Sequence, residues 1–462
     1  MSEQQSGLAV ASLAEFVYGV APRPVRCGRG LEIGTGTVIP EINFTLPPID
    51  IREDTWPEIR RQYTEMIGGV CTRAAALGVP GLLVEFETLP PMTVRPEWGA
   101  EITRLLGDTL AHFHETTGLK SALRLTPNDT RDHERPPRMR SGRYWEGMVR
   151  LFSMAAGAGA DMLAIESTGG KEICDEALMT ADLRTMVFAL GVLAPRDMEF
   201  LWSTIVAACR AGGIVPSGDT ACGFANTALA LAEQNMLPRV FAALVRVASV
   251  PRSLVAYEMG AVGPGKDCAY ENPYIKAITG VPIAMEGRSA ACAHLSALGN
   301  IAQCVCDCWS NESVQNVRLL SAAAPTVSVE QLAYDCRLLN VAADRSPEDA
   351  RRLRDWLADS DAPLDPQAWI LKPDVVLRLA GEMVNETTAY ARTRRIVQAA
   401  SDEIRAAHAA GELRVPPNEV RWLDRLARQA DSLPESEEAF TTEMLAALAD
   451  APWLPGEYGL PA

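Results

Sequence analysis

Between residues 81 and 345, short β-rich runs alternate with amphipathic stretches, a rhythm that predicts an α/β protein built on a (β/α)8 barrel of the TIM type. Three observations carry this prediction. The runs are nearly continuous in apolar residues, as strands covered on both faces must be. The stretches between them repeat apolar residues at helical spacing. Eight such units in roughly 250 residues match the size of this barrel. An open, doubly wound sheet is the alternative. Residues 1–80 are expected to form an N-terminal extension packed on the barrel, and residues 346–462 a C-terminal helical region.

The elements follow in order. The extension holds "LEIGTGTVIPEINF" (31–44) and a helix expected over about 55–77. Strands are expected at "GLLVEFE" (81–87), "SALRLT" (121–126), "DMLAIES" (161–167) and "MVFALGVL" (186–193). Four more are expected at "GIVPSG" (213–218), "SLVAYE" (253–258), "PIAMEG" (282–287) and "AAAPTV" (322–327). They are bounded by turn residues and rich in β-branched or aromatic side chains. "FANTALALAEQNML" reads as a helix directly after Cys222, and "ACAHLSALGNIAQCV" as one after the seventh strand. In the C-terminal region, "PEDARRLRDWLADS" and "SEEAFTTEMLAALADA" place Ser and acidic residues where helix N-termini prefer them.

Composition excludes several functions. The chain is 48% apolar and 22% charged, sufficient for a large core, and its formal net charge is −16. A surface of that sign repels polyanions, so nucleic acid is not an expected partner. The N-terminus shows no secretory signal and no uninterrupted apolar run reaches membrane-spanning length, so a cytoplasmic protein without a membrane partner is expected. The cysteines number 11, an odd count at irregular spacing, which argues for reduced thiols rather than a disulfide scaffold.

Several motifs can be set aside. "GAVGPGKD" at 260–267 approaches a phosphate-binding loop, but Asp267 stands where a hydroxyl is needed and Pro264 removes a backbone N–H. "GTGTVI" (34–39) lacks the third glycine of a dinucleotide fingerprint. "CVCDCW" resembles a metal site, but its thiols alternate at the end of an expected helix, where neighbouring side chains diverge. The five histidines form no zinc-binding pair, and His112 and His114 read as helix-surface residues.

What remains is a set of ligands at strand ends, where a barrel of this kind concentrates its chemistry. Glu166 ends the third expected strand, Cys222 lies just past the fifth, and Cys268 lies in the loop after the sixth. One carboxylate and two thiolates suit Zn²⁺, leaving a fourth position for substrate. Gly260, Gly263 and Gly265 would let the Cys268 loop turn sharply, and Lys266 would favour its thiolate. Spacing alone leaves a bland reading of each open: a barrel-mouth acid, a helix-start thiol and a loop cysteine.

A resemblance bears on that choice. "LEIGTGTVIPEINF", "ESTGGKE", "SGDTACGFANTA", "PRSLVAYEMGAVGPGKDCAYEN", "KAITGVPIAMEG" and "CDCWSNESV" resemble the methanol–corrinoid methyltransferases, the zinc subunit of the methanol methyltransferase system. It runs in order from about residue 27 to 340 and fades beyond. It implies a (β/α)8 barrel, zinc on Glu166, Cys222 and Cys268, and transfer of the methyl group of methanol to Co(I) of a corrinoid. Corrinoid-carrying subunits of such systems use D-x-H-x-x-G, which this chain lacks, so the cofactor is expected on a partner protein docked over the barrel mouth. A homo-oligomer, or a hetero-oligomer with that protein, is expected. The departing oxygen needs a proton, for which Asp219 and Glu87, at expected strand ends, are candidates, with structural or supporting roles as the alternative. Competing functions are the same chemistry on another donor such as a methoxylated aromatic, a zinc hydrolase, and a metal-free binding barrel.

Overall fold

The computed structural model describes residues 5–46, 49–266, 268–314, 318–320 and 322–461. Its centre is a curled parallel sheet built from β3 (Ile39–Thr45), β4 (Leu82–Glu87), β5 (Ser121–Thr126), β6 (Met162–Ile165), β7 (Val215–Asp219), β8 (Ala284–Glu286) and β9 (Cys308–Val314). Before it come β1 (Val20–Cys27) and β2 (Leu31–Thr35), an antiparallel pair. Across the sheet the order is β7-β6-β5-β4-β3-β9-β8, with β3 paired in parallel to both β4 and β9.

The gap between β7 and β8 is bridged by residues 262–265. On one side the amides of Val262 and Gly263 donate to Pro216 O and Ser217 O, each at 2.9 Å. On the other, Gly265 N donates to Pro282 O at 3.1 Å and Ala284 N to Gly265 O at 3.0 Å. This short extended piece occupies the sixth strand position and closes the ring. It is irregular because Pro264 has no amide to donate and Gly263 sits at φ +87°, where a Cβ would approach the Pro282 carbonyl oxygen to 2.7 Å.

The N-terminal end of the ring is plugged. Val25, Leu31 and Ile33 of the β1–β2 hairpin pack with Ile39, Leu83, Ala122, Met162, Ala284 and Cys308 in a separate apolar cluster. Above this plug the interior turns polar, with Glu41, Glu85 and Arg124 all buried. Access from solvent is therefore left to the C-terminal end, where the loops after the strands carry the site.

The structure corrects several expected elements. Residues 39–45, assigned to the extension, are a central strand of the sheet. Residues 186–193 are helical, as Leu183–Phe188 continued by a π-helical turn over Ala189–Leu193. Residues 253–258 belong to the helix Arg239–Met259, which stays helical through Pro251. Residues 322–327 give only the short strand Ala322–Ala323 before the helix Ala324–Arg345, and the eighth strand is β9. "ACAHLSALGNIAQCV" forms only the short helix Arg288–Ala293 and a 3-10 turn at Ile301–Gln303. The two false strands share a cause: both runs are buried on every side, and a helix buried all round has lost the amphipathic signature that would reveal it. The helix Ala389–Ala409 packs over both segments from outside. By length and composition Arg239–Met259 could also cross a membrane, but its apolar window lies wholly inside the protein, as a core helix does.

The expected caps are present beyond the barrel. Ser346 accepts from Asp349 N at the start of Pro347–Asp361, and Ser436 from Ala439 N at the start of Glu437–Ala447.

Candidate metal centre

Glu166 follows β6 directly, three residues after Leu163, whose partner on β7 is Pro216. Cys222 opens a π-helical turn, Cys222–Asn226, that leads into the helix Thr227–Glu233. Such widened turns recur at functional sites because they re-aim a side chain. Cys268 lies three residues past Gly265, in the loop that leaves the sixth strand position. Ring closure gathers the three. One carboxylate oxygen of Glu166 and the two sulfurs all lie within 4.8 Å of one another, and the Cys268 thiol donates to Glu166 Oε1 at 3.2 Å. Asp267, which argued against a phosphate loop, lies outside the described residues.

The surroundings of this cluster are charged and buried. Lys266 is 4% exposed, with Nζ 3.0 Å from Glu166 Oε1, 3.1 Å from Glu85 Oε1 and 3.7 Å from Glu87 Oε2. Burial pulls the ammonium down, but Glu166, Glu85 and Glu87 prevail and hold it well above its usual range. For Cys222, the hydrogen bond with Cys268 pulls the thiol down; burial and the Glu166 carboxylate outweigh it and carry it up to about 12. Cys268 is raised well above the usual thiol range by burial, then by Cys222 and Glu166. Two sulfurs that resist ionisation beside a carboxylate are what a divalent cation would reverse, since its charge favours the thiolates. Around tetrahedral zinc, ligand atoms lie roughly 3.5–3.8 Å apart, so separations of 3.2 Å in one pair and at most 4.8 Å in the others need only small adjustments. The donor set fits zinc.

Each of the three turns is anchored by buried polar groups. Asp219, fully buried at the end of β7, accepts from Trp202 Nε1 at 2.9 Å, from Arg252 at 3.1 Å and from Ser167 N at 3.2 Å. Asp129 accepts from Thr168 N at 2.9 Å and is itself ion-paired with Arg131 at 2.7 Å. The Glu166 turn is thus pinned at the next two residues. The Cys222 turn is pinned by Glu271, which accepts from Ala221 N at 2.7 Å and from the Ser253 hydroxyl at 2.8 Å. Thr220 ties the two sulfur-bearing loops together by accepting from Ala269 N at 3.2 Å. Arg246 donates to the Ala269 carbonyl and to Gln367 Oε1.

The triad is the group that the sequence reading singled out, and the structure brings all three together. Asp219 sits at its expected strand end, with both oxygens taken by the groups just named. Glu87 ends β4 partly exposed, linked to the triad through Lys266 and accepting from Asn43 Nδ2 at 3.4 Å. Glu271, Arg252, Asp129 and Asn43 were not anticipated. Local signal could not find them, because the contacts that tie them to the site reach far along the chain: Glu271 to Ala221, Arg252 to Asp219, Asp129 to Thr168 and Asn43 to Glu87. The alternating thiols of "CVCDCW" do not converge on the triad: Cys304 donates to Arg354 O at 3.2 Å, Cys306 to Gln303 O at 3.5 Å, and Cys308 joins the apolar plug.

Comparison with known proteins gives consistent results. The model of the family described as methanol-cobalamin methyltransferase B subunit matches residues 2–459. The chain is 35% identical over 449 residues to the methanol–corrinoid protein co-methyltransferase of Methanosarcina barkeri (strain Fusaro / DSM 804), covering 96% of each. Among solved structures it resembles a chain of the methanol:cobalamin methyltransferase complex MtaBC from Methanosarcina barkeri. The TM-score is 0.94 at 34% identity, over 99% of this chain and 100% of that one. These matches take in the C-terminal helices, where the sequence resemblance had faded.

Proposed function

Because the chain belongs to the methanol-cobalamin methyltransferase B subunit family, we propose that Glu166, Cys222 and Cys268 hold a zinc ion at which methanol yields its methyl group to the cobalt of a corrinoid presented by a partner protein. The chain is a methyltransferase of the methanol–corrinoid kind. The observation that supports zinc is the meeting, within 4.8 Å, of one carboxylate and two sulfurs from three separate turns of the ring. A zinc ion held by those residues would supply Lewis acidity to an alcohol oxygen, which hydroxide needs as a poor leaving group.

The protein's own contribution is position and charge. The turns that carry the ligands are held by buried acceptors, so the set is preorganised. Lys266 offsets the negative charge of Glu166, Glu85 and Glu87. Asp219, with its oxygens engaged, is assigned to holding the Ser167 amide and through it Glu166. Glu87 remains our candidate for proton delivery to the departing oxygen, since it is partly exposed and contacts Lys266. The corrinoid protein would dock over the C-terminal end of the ring, the end that the hairpin leaves open, in a cytoplasmic setting.

The test is spectroscopic. Incubated with a Co(I) corrinoid and methanol, the purified zinc-loaded protein converts the cobalt spectrum to that of methyl-Co(III). Conversion only by an aryl methyl ether would move the donor to a different class, and conversion by neither would overturn the reading.

A further inference from the structure

Next to the triad the ring interior holds a small polar cavity with one unpartnered acceptor. It is lined by Asn43, Glu85, Arg124, Lys266, Cys268, Ala284, Glu286 and Ser310. All of these except Lys266 and Cys268 lie on strands. Its cavity volume is about 10 Å³. That is room for about one water, or for the hydroxyl end of a small alcohol whose carbon faces out of the cavity. Walls borne on the strands of a packed ring yield little.

The acceptor is Asn43 Oδ1. Asn43 is 3% exposed, and its Oδ1 is buried without a hydrogen-bond partner. Its orientation is set by Glu87, to which Nδ2 donates at 3.4 Å; the flipped amide would set oxygen against a carboxylate. A buried carbonyl-type oxygen without a donor is costly, and a donor brought by a water or a bound molecule would remove that cost.

We propose that Asn43 is a specificity-determining residue: its Oδ1 accepts the hydroxyl hydrogen of the alcohol, and the cavity that it shares with Ala284 and Ser310 sets the upper size of the methyl donor. This rests on the function proposed above and narrows it. A hydroxyl bound in this way keeps its oxygen lone pairs for the cation. An ether has no hydrogen to offer, so a methoxylated aromatic is rejected twice, by the unsatisfied acceptor and by bulk. Each carbon added to the alcohol meets strand-borne groups, and discrimination of ~10–200-fold per methylene is the expected scale.

The experiment compares the wild-type zinc-loaded protein with Asn43→Ala and Ala284→Val. Alcohol binding is read without corrinoid by saturation-transfer NMR with methanol and ethanol; zinc content and circular dichroism report on the site and the fold. Turnover with Co(I) corrinoid gives KM and kcat. Asn43→Ala is expected to weaken methanol binding ~10–100-fold, chiefly in KM, with zinc retained and the ethanol-to-methanol ratio moved toward one. Ala284→Val, which fills the same space from β8, is expected to abolish binding of both alcohols with zinc retained, and it carries the test if Asn43→Ala does not fold. Unchanged methanol affinity and unchanged alcohol ratio in the folded variants would overturn the inference. If wild-type protein uses methanol and the variants behave like it, only this inference falls; if wild-type protein does not use methanol, the functional reading falls first.

Discussion

Two thiol-bearing regions of this chain invert what their sequences suggest. Cys304, Cys306 and Cys308 are crowded into five residues, yet they separate: two donate to different backbone carbonyls, and the third enters the apolar plug. Cys222 and Cys268 are far apart along the chain, yet their sulfurs meet beside Glu166. Both pairs of surroundings push thiols up through burial, so burial does not distinguish them. The difference is convergence. Cys304 lies in a turn, Cys306 in irregular chain and Cys308 at the start of a strand, so their side chains share no face, whereas loops following neighbouring strands of a closed ring are aimed at one axis.

This contrast can be broken in four ways, from the largest expected effect to the smallest. Cys222→Ala or Cys268→Ala should remove zinc and lower methyl transfer by roughly 1,000-fold or more, as loss of several kcal/mol of Lewis-acid stabilisation requires. Cys304→Ala and Cys306→Ala should leave metal content and turnover at wild-type values. Equal losses from both pairs, measured by metal analysis and cobalt spectroscopy, would erase the distinction.

Removing zinc by chelation should destabilise without unfolding. Metal present at a thousand times its Kd contributes ~4 kcal/mol, and the ring and its buried anchors do not depend on it. A lowered Tm with an unchanged far-ultraviolet circular dichroism spectrum is the expected outcome. Unfolding on chelation would mean that the ion builds the loops rather than joining turns already placed.

Arg252→Met sharpens the comparison from the side of the anchors. It strands the fully buried Asp219, so a loss of about 3 kcal/mol in urea unfolding is expected, together with weaker zinc binding through the Ser167 turn. Unaltered zinc affinity in the folded variant would detach that network from the site. The smallest effect belongs to a core thiol outside the triad. Cys306→Ala should cost about 1 kcal/mol for a small buried cavity, visible in the same unfolding curve.

The limits of sequence reading follow the same line. Ser121–Thr126 coincides with its expected span, because turn residues bound a short β-rich run. The runs at 186–193 and 253–258 misled, because burial on all sides removes the polar face that marks a helix. The strand Ile39–Thr45 was hidden because nothing local says that an early run inserts between β4 and β9. The meeting of Glu166, Cys222 and Cys268 was expected from the family likeness, while their spacing alone left other readings open. The carboxylates around Lys266, the Glu271 anchor and the lone oxygen of Asn43 depend on ring closure, which no window of sequence contains.

The central claim is that three distant side chains grip one divalent ion. X-ray absorption at the zinc edge of the purified protein tests it most directly. The account predicts one zinc per chain with two sulfur neighbours at ~2.3 Å and light-atom neighbours at ~2.0–2.2 Å. Protein active in methyl transfer but free of zinc, or a zinc shell without sulfur, would contradict it.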